Sequence, residues 1–423
     1  MLYYIDPGTG SMLFTILIGI LSAGIYAAKN IFIKLKFFLS GDKQGKKNRN
    51  TIPFVIFSDD KRYWNVFKPI CDEFEKHQQC LVYMTASADD PALLENYSSV
   101  ECKFVGEGNK AFAKLNMLNA DIVLSSTPGL DVYQWKRSRD VKWYVHILHA
   151  ANDATAYKMF GIDYFDAVLL SGEYQIKQVR QLEQLRNLPA KDLQIVGLPH
   201  LDKMKSRLDD FREGILETFK TTEVSGTSKE SSVTVLLAPT WGINSVFSKY
   251  GSQIIDELIK TGYNTIIRPH PQSFVSEKEM IDDLMKRYPE TDKLEWNSDN
   301  DNFYVLEKSD VLISDFSGVI FDFALVFDKP IIYADTSFDK SPLDAYWLEE
   351  DLWTFSILSK IGEQLTEDNI GNIKSVIDTC LTEPKYKDGR DQARTETWQN
   401  IGGSAERVVA YLIEKQKELS DEK

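Results

Sequence analysis

Four short segments concentrate residues able to handle a phosphate or a proton. His149-Ala150-Ala151-Asn152-Asp153 follows the apolar run 143–148, and Arg268-Pro269-His270-Pro271 follows Ile266 and Ile267. Ser314-Asp315-Phe316-Ser317-Gly318 follows 311–313, and Pro239-Thr240-Trp241-Gly242 follows 236–238. Small hydroxyl residues that open a helix leave backbone N–H groups pointing outward with the positive end of the dipole behind them, a cradle for phosphate. Ser, Asp and Gly are also the usual N-cap residues whatever the ligand, so SDFSG taken alone reads either way. RPHP says more, because two prolines stiffen a loop presenting one guanidinium and one imidazole, both good phosphate partners. Its structural alternative is an ion-paired Arg beside a capping His. An imidazole at a strand end, with an unperturbed pKa of about 6.5, is suited to take a proton from an attacking hydroxyl. The alternative for His149 is a core histidine satisfied by a carbonyl. His146 lies within the strand and points elsewhere, His200 reads as a hinge residue and His77 as a surface one.

These segments need strands to hold them. Runs of β-branched and aromatic residues predict strands at 52–58, 81–85, 121–126, 143–148, 167–171 and 193–197, then at 233–237, 264–268, 311–314 and 330–333. Amphipathic stretches between them predict helices at 63–77, 111–118, 175–185, 252–261, 278–288, 319–327 and 405–417. The polar stretch 206–232, with Gly226 and several Ser and Thr, reads as a linker. Two successive βα arrays imply two doubly wound α/β domains facing a cleft, with ligands outside the carboxyl ends of the strands. The expected divisions are 1–49, 50–205, 206–232 and 233–423. No G-x-G-x-x-G or Walker-type loop occurs, which argues against hydride transfer and P-loop chemistry.

Composition narrows the class. Of 423 residues, 43% are hydrophobic and 26% charged, a globular balance, and the net charge is −14. Such an acidic chain is unsuited to coating nucleic acid, so an anionic ligand must be held by a local positive site. Cys71, Cys80, Cys102 and Cys380 form no C-x-x-C pair and no zinc spacing, and read as ordinary thiols. Asp299-Asn300-Asp301 has DxD spacing but lies in a polar stretch, and no metal site is expected. Residues 7–28 carry no charge and would span about 33 Å as a helix. Lys29, Lys34, Lys36, Lys43, Lys46, Lys47 and Arg49 follow, so the expected arrangement is a single N-terminal anchor with the rest of the chain cytoplasmic. Lys34 and Lys36 also leave room for a helix lying flat on the membrane.

The combination LAPTWG, IIRPHP and LISDFSGVIFDFAL…KPIIYAD resembles the CDP-glycerol glycerophosphotransferases that build teichoic acids. HILHAANDATAYK falls where that family carries its catalytic histidine. The resemblance implies a two-domain GT-B architecture, with His149 as general base and His270 as a second catalytic residue. It also implies that Arg268, His270, Ser317, Asp315 and Ser314 grip the donor phosphates, with Thr240 beside them. The reaction implied is attack by an acceptor hydroxyl on the β-phosphorus of CDP-glycerol or a similar donor, releasing CMP, without metal or cofactor. The acceptor would be lipid-linked or a glycan, in cell-envelope polymer synthesis at the membrane. The chain departs from the family pattern at Ala150, at Asn152–Thr155 and at Gly318, on the acceptor side and at one phosphate contact. A glycosyltransferase using a nucleotide sugar, and a non-catalytic nucleotide-binding relative, are the rival readings.

Overall fold

In the computed structural model, which describes residues 51–214, 233–299 and 301–421, the apolar runs form two wholly parallel sheets. The first contains β1 (Ile52–Ser58), β2 (Leu81–Thr85), β3 (Val100–Phe104), β4 (Asn119–Ser125), β5 (Asp140–Ile147), β6 (Ala167–Leu170) and β7 (Asp192–Ile195). Its order is β3-β2-β1-β4-β5-β6-β7. The second contains β8 (Thr234–Leu237), β9 (Asn264–Ile267), β10 (Leu294–Trp296), β11 (Val311–Ser314), β12 (Ile331–Ala334) and β13 (Gly362–Leu365), in the order β10-β9-β8-β11-β12-β13. The central strands are buried along nearly their whole length, as expected when helices cover both faces.

Apolar spacing builds the covering helices. Trp64, Phe67, Ile70, Cys71 and Phe74 form the buried stripe of the helix Trp64–Lys76 and meet Phe54, Ile56 and Tyr83 of the sheet. The helix Pro199–Arg212 starts with Pro at its first turn, where the missing N–H has no cost. Leu201 and Leu208 place it in one core with Leu236, Ile266 and Phe321 beside the second sheet. The helix Ser404–Asp421 returns to the first sheet, where Val408, Val409 and Leu412 join the core of Ile56, Ile122 and Ile147. Two glycines admit the segment leading into it: a Cβ on Gly172 would lie 1.9 Å from Glu396 O, and one on Gly197 would lie 2.2 Å from Gln399 O.

Two buried carboxylates tie the sheets' loops together. Asp153, after β5, accepts from the N–H groups of Trp353 and Thr354 (2.9 Å each) and from Thr354 Oγ1 (2.6 Å). Asp344 accepts from Phe160 N–H (2.7 Å), Gly161 N–H (3.2 Å) and the Arg186 guanidinium (2.6 Å). Arg186 also pairs with Asp163, and all three side chains are almost fully buried.

The expected N-terminal anchor lies outside the described residues. Among the described residues no helix is long and apolar enough to cross a membrane. Cys71 and Cys380 are buried, Cys102 is half-buried and Cys80 exposed, and none is in a disulfide.

Candidate active site

Each sheet reverses its strand order once, between β1 and β4 in the first and between β8 and β11 in the second, which creates a crevice at the carboxyl ends. The second crevice collects three of the four segments. At β11, the residues divide by role. Ser314 is fully buried and its hydroxyl donates to Ala238 O at 2.6 Å, so it is spent on joining the ends of β8 and β11. Asp315 is also buried, and its carboxylate accepts the N–H groups of Thr240 (3.0 Å), Val246 (3.1 Å) and Phe316 (2.8 Å). Burial raises its pKa and those N–H bonds oppose the rise. Asp315 therefore clamps the loop after β8; a carboxylate so occupied does not grip phosphate. The Thr240 and Ser317 hydroxyls and the Ser317 and Gly318 N–H groups have no partner among the described residues. The chain then makes one α turn, Val319–Phe321, and a π-helical turn, Asp322–Val326.

At β9, Arg268 and His270 stand on either side of Pro269 in the sequence of the loop. The Arg268 guanidinium donates to Asn297 Oδ1 and, at 2.7 Å, to Asp299 O. Burial lowers its pKa against the pull of Asp299 and Asp301. His270 Nδ1 accepts the Gln272 N–H at 3.1 Å, which leaves the proton of the neutral ring on Nε2, a donor suited to a phosphate oxygen. Its pKa is held down by burial and by the Arg62 charge. The DxD segment has other work: Asp299 Oδ2 accepts from Asn297, while Asp301 pairs with Arg207 at 2.6 Å and caps Phe303 N–H.

His149 stands just past β5, half-buried between two tyrosines. Tyr63 meets it edge-on with ring centroids 4.9 Å apart, and Tyr157 Oη lies 3.4 Å from Nδ1, a long contact. Burial, with the Arg62 charge second, pushes its pKa down to about 4, so the ring is neutral and able to accept a proton at physiological pH. His146 is fully buried against Tyr157 and Phe165, and neither ring nitrogen has a hydrogen-bond partner among the described residues. Burial, with the His149 charge second, pushes the His200 pKa down to about 3.

The first sheet's loop meets the second sheet's turn directly. A Cβ built on Gly318 would lie 4.0 Å from Ala150 Cβ, and Ala151 packs into the core of Ile320 and Phe321. The Arg62 charge acts on both His149 and His270. A cavity of about 260 Å³ opens beside this contact, lined by Asn152, Ala156, Phe316, Gly318, Phe338 and Phe355 among others. Sequence reasoning passed over Arg62, Tyr63 and Tyr157, and over Asp322, whose pKa burial raises to about 6. The rule that points to strand ends would have found Arg62 and Tyr63 had it been applied to β1.

The fold is shared with bacterial UDP-N-acetylglucosamine 2-epimerases. S. aureus MnaA, solved with UDP, is 12% identical, with 87% of this chain and 98% of that one covered and a TM-score of 0.58. The epimerase from Rickettsia bellii is 14% identical (88% and 98% covered, TM-score 0.54), and that from Neisseria meningitidis bound to UDP-GlcNAc is 12% identical (86% and 100%, TM-score 0.54). No curated protein matches the chain. Residues 38–414, however, match the model of one family from end to end of both sheets: the chain belongs to the CDP-Glycerol:Poly(glycerophosphate) glycerophosphotransferases and is an enzyme of that kind.

Proposed function

We propose that the protein transfers glycerol phosphate, or a related polyol phosphate, from a CDP-linked donor to a hydroxyl of a lipid-linked or glycan acceptor in cell-envelope polymer synthesis. The first sheet, with the helix Ser404–Asp421 packed on it, takes the acceptor, and the second sheet takes the nucleotide donor. Residues 7–28 anchor the enzyme in the cell membrane with both sheets on the cytoplasmic side, beside a lipid-borne acceptor. The observation that supports this reading is the approach of the His149 loop to the Ser317–Gly318 turn, where a Cβ built on Gly318 would lie 4.0 Å from Ala150 Cβ.

The acceptor hydroxyl gives its proton to the neutral His149 ring as its oxygen bonds to the β-phosphorus. The bridging P–O bond breaks and CMP leaves with the electron pair. Arg268, the Nε2–H of His270, the Ser317 and Thr240 hydroxyls and the free N–H groups at Ser317 and Gly318 hold the phosphate oxygens as charge builds. Positioning and charge stabilisation of this kind supply most of the acceleration in phosphoryl transfer. The expected test result is CMP release from CDP-glycerol by purified protein, lost in His149→Ala and His270→Ala. Saturable binding of UDP-sugars with no response to CDP-glycerol would instead establish a glycosyltransferase, and wild-type turnover that both variants keep would overturn the site assignment.

A further inference from the structure

His149 stands in a row of rings. Phe165, His146, Tyr157, His149 and Tyr63 follow one another with centroids 5.0, 5.0, 5.9 and 4.9 Å apart. The two rings that flank His149 differ in what they offer it. Tyr63 meets it edge-on, whereas Tyr157 brings a polar atom, Oη, to 3.4 Å from Nδ1. Among the described residues that hydroxyl is the one hydrogen-bond partner of the His149 ring, and no carboxylate bonds to it.

Tyr157 is buried, and the second sheet's loop after β12 fixes the segment that carries it. Thr155 O accepts the Ala345 N–H at 2.9 Å, Tyr157 O accepts the Asp344 N–H at 2.8 Å, and the Met159 N–H donates to Pro342 O at 3.1 Å. The Asp344 carboxylate then takes the N–H groups of Phe160 and Gly161. A segment pinned in this way holds its side chain to one geometry, as a group that orients a base has to be held.

The contact can run in two directions with opposite chemistry. With the phenol donating to Nδ1, the proton of the neutral ring sits on Nε2 and no lone pair is left for a substrate proton. With Nδ1–H donating to Oη, the Nε2 lone pair is free, and the phenol oxygen stabilises the charge the ring gains on protonation. A phenol also orients without adding negative charge. The ring therefore keeps the low pKa that burial and then Arg62 impose, where a carboxylate in the same place would raise it.

We infer that Tyr157 is a positioning residue: its Oη accepts the Nδ1–H of His149 and fixes the tautomer whose Nε2 takes the proton of the acceptor hydroxyl. The inference rests on the function proposed above and gives its base an orienting group.

The test reads the imidazole nitrogens of the full-length protein, carrying isotopically labelled histidine, by proton–nitrogen correlation spectroscopy at neutral pH. The His149 signals are assigned by their loss in His149→Gln. In the wild type Nδ1 should carry the proton and Nε2 should be bare. Tyr157→Phe keeps the ring and deletes the hydroxyl, so the proton should move toward Nε2, the site free histidine favours. The same variant should lower kcat for CMP release roughly tenfold, the worth of one hydrogen bond, with the KM for CDP-glycerol and the melting temperature unchanged. Tyr63→Phe, which alters the ring that offers only its edge, should leave the tautomer as in the wild type. A wild-type proton on Nε2, a tautomer that Tyr157→Phe does not alter, or an unchanged kcat in that variant overturns the inference. Failure of the wild type to release CMP would sink the proposed function, and a tautomer that still depends on the Tyr157 hydroxyl would support the orienting contact independently.

Discussion

The histidines make opposite demands on their surroundings, and the pH response of the enzyme follows from how each is housed. With His149 held at about pKa 4 by burial and then by Arg62, the base stays unprotonated well below neutrality. CMP release should therefore hold a plateau from pH 7 down to about 5 and fall only as pH drops through about 4. A pH–rate profile with its acid limb near 6.5, the value of an unperturbed imidazole, would contradict this housing. The two serines of SDFSG separate in the same way. Ser314→Ala removes a buried bond to Ala238 O and should cost about 1 kcal/mol of stability, read from denaturant unfolding, with the KM for donor little changed. Ser317→Ala removes a hydroxyl with no partner among the described residues and should raise the donor KM while stability holds. Motif reading could place both serines at a strand end but could not tell which one the fold had already used. That depends on the loop after β8, which no local pattern reveals.

Among the elements, the central strands were legible and three of the four rim strands were not, β7 being the exception. β1, β2 and β11 fall where their apolar runs predict, because a strand covered on both faces has no polar alternation to blur it. The strands missed are β3, β10 and β13, each at the rim of its sheet. VECKF alternates polar with apolar residues, GEQL buries only its terminal Gly and Leu around two adjacent polar residues, and LEW is only three residues long. The helix Lys385–Thr397 escaped for a similar reason, being mostly charged around a narrow buried strip of Tyr386, Gly389 and Ala393. Equally invisible were the loop anchors at Asp153 and Asp344, whose partners lie far away in sequence. Removing Asp344 would strand two backbone N–H groups and leave the buried Arg186 with Asp163 alone. Asp344→Ala should accordingly cost about 3–5 kcal/mol, measured by denaturant unfolding; a loss under 1 kcal/mol would show the cluster to be dispensable.

At the scale of the whole molecule, three neutral imidazoles make folding sensitive to acid. The pKa values of His146, His149 and His200 are pushed down to about 3, 4 and 3, each by burial first. The unfolded chain, with ordinary values of about 6.5, takes up these protons sooner than the folded one. Their contribution is complete above pH 6.5 and is lost progressively as pH falls toward 3. The melting temperature should decline through that window, and His146→Phe, which fits a site already walled by Tyr157 and Phe165, should shallow the decline.

The return of the helix Ser404–Asp421 to the first sheet carries a consequence for biogenesis. β1 through β7 emerge from the ribosome early, yet the part of the sheet face at Ile122 and Ile147 lacks its cover of Val408, Val409 and Leu412 until these have been translated. The half of the enzyme made first is thus the half finished last, and in the interval its greasy surface is open to chaperones or to a neighbouring nascent chain.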